Sequence, residues 1–110
     1  MLSLSGDGRG QGAILHSRTS QTASSANPAM AGEALEIYCT GLGAGSSVND
    51  SQVTIGGRMA EILFYGNAPG FPGLNQVNVR ASTVVPPGPT VPVRLTYLGI
   101  PSNEVTIALR

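Results

Sequence analysis

Short stretches in which every second side chain is apolar, separated by Gly, Pro, Asn and Ser turns, constrain this chain more than any other feature. Leu35, Ile37 and Cys39 fall on one face of an extended segment, and Glu36, Tyr38 and Thr40 on the other. Val53 and Ile55 repeat the alternation, and Gly56-Gly57 follows where a tight hairpin turn wants positive φ. Beyond that turn, Ala60, Ile62 and Phe64 are expected to face one way and Met59, Glu61, Leu63 and Tyr65 the other. Val77 and Val79 alternate with Gln76, Asn78 and Arg80. Val91, Val93, Leu95 and Tyr97 alternate with Arg94 and Thr96, and Val105, Ile107 and Leu109 with Thr106 and Arg110. With a first segment at about Gly12 to His16, the pattern predicts about seven half-buried strands.

A helix is hard to place. PAMAGEALEIY contains helix formers, but Gly32 interrupts it and its apolar spacing fits a strand better. Residues 17–26 (SRTSQTASSA) are polar and read as a loop. The expectation is an all-β sandwich, a single domain over residues 10–110 preceded by a leader or linker at 1–9. In that leader Leu2 and Leu4 alternate with Ser3 and Ser5, a pattern able to add a strand to its own domain or to a neighbour.

Charge narrows the function. Six basic and six acidic residues cancel, leaving no electrostatic footprint for nucleic acid or for an anionic membrane. Charged residues make up 11% of the chain, against about 25% in a typical domain. Solubility then rests on Ser, Thr, Asn and Gln, which suits secreted modules and parts of larger assemblies. One cysteine excludes an internal disulfide and a cysteine-based zinc site. No apolar run approaches the roughly 20 residues of a membrane span, so no membrane insertion is expected. The N-terminus lacks a basic region followed by an apolar stretch, so no signal peptide is read, and the reading leaves room for natural chain upstream of Met1.

The stretch most like a functional motif is Gly6-Asp7-Gly8-Arg9-Gly10-Gln11-Gly12. A dinucleotide fingerprint needs G-x-G-x-x-G between a strand and a helix, and a phosphate-binding loop needs Gly-Lys-Ser/Thr; neither occurs. A calcium loop needs several oxygen ligands in register, and Asp7 is the only acid nearby. The better reading is backbone that bends and comes close to a neighbouring strand. Gly41-Leu42-Gly43-Ala44-Gly45 fails the same tests and opens a loop holding the glycosylation sequon Asn49-Asp50-Ser51. His16 is the only histidine and is expected at a strand end or in a loop. Cys39 shares the face of Leu35 and Ile37, where a buried thiol is an inert core filler rather than half of a Cys-His nucleophile. The six acids form no close pair, so no catalytic residue, cofactor or metal is expected, and the chain is not read as an enzyme.

One feature points to a partner. Met59, Leu63 and Tyr65 would make the second face of their strand apolar, and the loop after it adds Phe71 and Leu74. Either the loop folds back over the strand, or these five residues form an exposed interaction surface.

Taken together, GRGQGAILH, NPAMAGEALEIYCTGLG, VTIGGRMAEILFYGNAPGFPGLNQVNVR and VPVRLTYLGIPSNEVTIALR resemble the Solibacter-type C-terminal domain. That family of uncharacterised modules recurs at the carboxyl ends of large exported acidobacterial proteins. Residues 81–88 depart from the family pattern of a Val-Pro pair before a turn ending in Gly. More distantly the chain is similar to the immunoglobulin-like IPT/TIG domains. The resemblance implies an immunoglobulin-like sandwich, an extracellular or cell-surface location, and a non-catalytic accessory role in docking another domain or a surface protein. Two alternatives are a carbohydrate- or polymer-binding module, relying on Tyr38, Phe64, Tyr65, Phe71 and Tyr97, and a homo-oligomer formed by edge-strand exchange with residues 1–16 as donor.

Overall fold

The computed structural model describes residues 1–40, 51–71, 74–97 and 99–110. Their regular structure is entirely strand: β1 (Ile14–His16), β2 (Ala34–Cys39), β3 (Ser51–Ile55), β4 (Arg58–Met59), β5 (Glu61–Asn67), β6 (Asn75–Arg80), β7 (Gly88–Tyr97) and β8 (Ile100–Leu109). These form two four-stranded antiparallel sheets with orders β1-β2-β6-β5 and β4-β3-β7-β8, the all-β sandwich expected from the alternation.

Register shows why the alternation works. Ile37 lies opposite Val77 and Leu35 opposite Val79 in the first sheet, while Ile55 faces Val93 and Val93 faces Val105 in the second. All seven of these side chains are fully buried and, with Ile14, Val53, Ile107 and Cys39, fill the space between the sheets. Burying one such aliphatic side chain contributes roughly 1.5–3 kcal/mol, so together they outweigh any surface interaction among the described residues.

The described residues form eight strands rather than seven because the expected strand after Gly56-Gly57 is two strands. The two glycines hold φ +61° and +78°, a hairpin turn only glycine adopts readily at both positions. β4 pairs with β3 for two residues. The chain then crosses at the buried Ala60, whose N–H donates to the Val53 carbonyl at 2.8 Å, and continues as β5 beside β6 in the other sheet.

A second departure follows in β5. Ile62 pairs with Val79 but Phe64 pairs with Asn78, so Leu63 is an extra residue and the register shifts there. One inserted residue exchanges the two faces of everything after it. Phe64, expected in the core, is therefore exposed, and Tyr65, expected outside, lies opposite Val77 and packs on the core.

The opening segment is tied to its own domain. Ser3 bridges Gly12, the Leu2 N–H donates to the Tyr38 carbonyl at 3.0 Å, and the Met1 ammonium donates to Asn103 Oδ1 at 2.6 Å. Asp7 closes the glycine-rich turn by accepting from the Ser5 hydroxyl at 2.6 Å and the Arg9 N–H at 3.0 Å. Gly10, Gln11 and Gly12 then run parallel to β8, with Thr106 N–H donating to the Gly10 carbonyl and Gly12 N–H to the Thr106 carbonyl, each at 2.8 Å. Ala29 adds a parallel bridge to Leu109 further along. Much of the outer edge of β8 is thus occupied, as an exposed edge requires if it is not to pair with other chains. Gly12 is where the approach is closest: a Cβ there would lie 2.8 Å from Val105 Cγ2.

Candidate functional site

Among the described residues, two places depart from an ordinary polar surface. The first is the sheet edge formed by β5, beyond which no strand lies among the described residues. Met59 is 57% exposed, Leu63 45%, Phe64 42% and Phe71 64%. Of the five residues expected to form an interaction surface, Met59, Leu63 and Phe71 are therefore outside, Leu74 is half-buried, and Tyr65 is turned inward by the bulge. Phe64 takes the place of Tyr65. Its ring lies along the strand, so that a Cβ on Gly66 would sit 3.1 Å from Phe64 Cζ. The following loop is pinned by its own backbone, with Phe71 N–H donating to the Ala68 carbonyl at 3.1 Å and Ala68 N–H to the Leu74 carbonyl at 2.8 Å. Phe71 points into solvent rather than covering β5.

Tyr65 carries a local cost. Its hydroxyl is buried without a hydrogen-bond partner among the described residues, an unfavourable arrangement for a polar atom. The ring belongs in the core by register, and its polar tip comes with it.

The second place is an open cleft of about 600 Å³ where β1 ends and β2 begins. At its base lies His16. It is the strand-end residue the sequence led us to expect, but it is buried and fully engaged. Nδ1–H donates to Glu33 Oε2, and Nε2–H donates to the Asn27 carbonyl at 2.8 Å. A carboxylate and a carbonyl both accept, so the two contacts favour the ring that carries a proton on each nitrogen. Burial by itself pushes the His16 pKa down, but the Glu33 hydrogen bond, the Asn27 carbonyl and the Glu33 charge outweigh it and leave it above the usual 6.5. Glu33 is equally committed, since Oε1 accepts the Met30 N–H at 2.9 Å. Both ring nitrogens are committed to neighbours within the chain, and His16 fastens the loop of residues 17–32 to the start of β2.

Cys39 is where the alternation put it, in the core, and burial pushes its thiol up to about 11. A histidine and an acid meeting at a cleft were not foreseen. The signal was present: His16 shares the inward face of Ile14, and its register partner Leu35 follows Glu33 by two residues. The second glycine cluster, residues 41–45, and Asn49-Asp50 of the sequon lie outside the described residues. No family model, curated protein or solved structure matches the chain.

Proposed function

We propose that this chain is a non-catalytic, immunoglobulin-like accessory module of an exported bacterial protein, which docks through the β5 edge onto another domain or a cell-surface protein. The observation that carries the reading is the exposure of Met59, Leu63, Phe64 and Phe71 along β4, β5 and the loop after it. Large apolar side chains left exposed on a run of edge strands and the loop after it mark contact surfaces more often than open solvent. Connectivity supports the immunoglobulin-like part: in chain order the first, second, sixth and fifth strands make one sheet and the fourth, third, seventh and eighth the other. That arrangement corresponds to ABED packed on C′CFG. The fully engaged nitrogens of His16 and the raised thiol of Cys39 support the non-catalytic part. Sparse charge and the family resemblance support a place outside the cell.

Hydroxyl-radical footprinting tests the docking. Met59, Phe64 and Phe71 should be oxidised readily in the isolated chain and protected when it is part of its full-length parent or bound to the parent's surface partner. Equal oxidation of all three in every context would remove the basis of the reading.

A further inference from the structure

The cleft has a charge balance that the chain as a whole lacks. Cationic and acidic residues are equal in number, yet three of the six arginines, Arg18, Arg80 and Arg110, line this one concavity. They come from the loop after β1, the end of β6 and the stretch after β8, so the fold and not local sequence gathers them. The one acidic side chain among the described lining residues is Glu33, and both of its oxygens are already engaged, by His16 and by the Met30 N–H. It offers little repulsion to an incoming anion.

The guanidinium groups are weakly engaged. Arg18 makes no hydrogen bond or ion pair among the described residues. Arg110 reaches only the Met30 sulfur, at 3.8 Å. Arg80 stands 3.5 Å from the exposed Glu61 and 3.4 Å from the Gly32 carbonyl, contacts too long to compete with a short charge-assisted bond. Isolated surface arginines are ordinarily solvated and bind nothing. Here they surround a cleft of about 600 Å³, a size suited to a small organic molecule, and the planar guanidinium matches carboxylate and phosphate oxygens.

We propose that this cleft binds a ligand bearing two or more carboxylate or phosphate groups, held by Arg18, Arg80 and Arg110. The site is independent of the β5 edge and stands whether or not that edge docks a partner.

Citrate and pyrophosphate, titrated separately into the folded chain at low ionic strength and followed by amide NMR, test the proposal. Low salt matters because exposed charges are screened beyond about 10 Å at 0.1 M. The expected result is saturable shifts centred on Arg18, Thr19, Gln21 and Arg80 with at least one of the two probes. Arg18→Gln and Arg110→Gln should each weaken binding about tenfold, the loss of one hydrogen bond to a charged group. Arg58→Gln, on β4 and outside the cleft, should leave it unchanged. Citrate alone binding assigns a polycarboxylate and pyrophosphate alone a polyphosphate; either supports the site. No saturation with either probe up to about 10 mM, beyond the millimolar affinities that count as specific binding, overturns it. So does equal weakening by Arg58→Gln.

Discussion

Gly12→Ala is the sharpest test of how the opening segment is held. The backbone at Gly12 has no positive φ, so alanine meets no conformational strain there, but its Cβ would lie 2.8 Å from Val105 Cγ2 and 2.9 Å from Ile14 Cδ1. Val105 is fully buried and branched at Cβ, so it has nowhere to go. Ile14 is just as buried, and its Cγ1 would also lie 3.1 Å away, so it yields little. Overpacking of this kind costs roughly 1–3 kcal/mol, offset by about 0.4–1 kcal/mol because alanine restricts the unfolded chain. The net expectation is a loss of about 1–2 kcal/mol, or about 4–8 °C in melting temperature for a domain of this size. Val105→Ala removes the clashing methyl and by itself costs about 2–3 kcal/mol through lost burial and a residual cavity. In that background Gly12→Ala should cost about 1 kcal/mol less, because its methyl enters the space left by Val105 while the contact with Ile14 remains. The four proteins form a double-mutant cycle, measured by urea unfolding followed by far-ultraviolet circular dichroism, with an expected coupling of about 1 kcal/mol. If Gly12→Ala costs the same with and without Val105, the close approach of this segment to β8 is not what makes glycine necessary.

The His16–Glu33 pair makes stability depend on pH in a definite direction. His16 holds its proton more tightly folded than unfolded, so its contribution is complete below about 6.5 and is lost as pH rises through the raised folded value; urea midpoints measured across that window should fall, and Glu33→Gln should flatten the slope. Tyr65→Phe removes a buried hydroxyl that has no partner among the described residues and should raise stability by about 1 kcal/mol, whereas a loss of that size would mean the hydroxyl is bonded after all. Cys39 should resist a disulfide reagent at pH about 8 in the folded protein, because its thiol is buried and pushed up to about 11. Rapid labelling without unfolding would place it outside the core. Leu63→Ser, at an exposed position, should change stability by no more than about 0.5 kcal/mol, as thermal melts can verify.

Most of the sandwich was legible because its strands bury one face and the side-chain period is two. Leu35, Ile37 and Cys39, or Val105, Ile107 and Leu109, announce which way they point without further information. Glu61 to Tyr65 do not: Ile62, Leu63, Phe64 and Tyr65 are apolar in succession, so the alternation carries no mark of the residue at which the register slips. The crossing at Ala60 is hidden for a related reason, since one strand that changes sheets reads the same as one that stays. The cleft was illegible because it is made by register. His16 meets Glu33 only once β1 lies against β2, and Arg80 joins them only once β6 pairs with β2 on its other side.

The parallel strap of Gly10 to Gly12 on β8 also decides how the molecule would respond to being stretched. Once the bonds of residues 1–4 have opened, a pull on Met1 and Arg110 tugs the strap backward and β8 forward, along their common direction. The bonds at Thr106, and those of Ala29 to Ala108 and Arg110, then share the load side by side instead of opening one after another. A module joined this way resists tension by sliding rather than by peeling, whichever neighbour it is linked to.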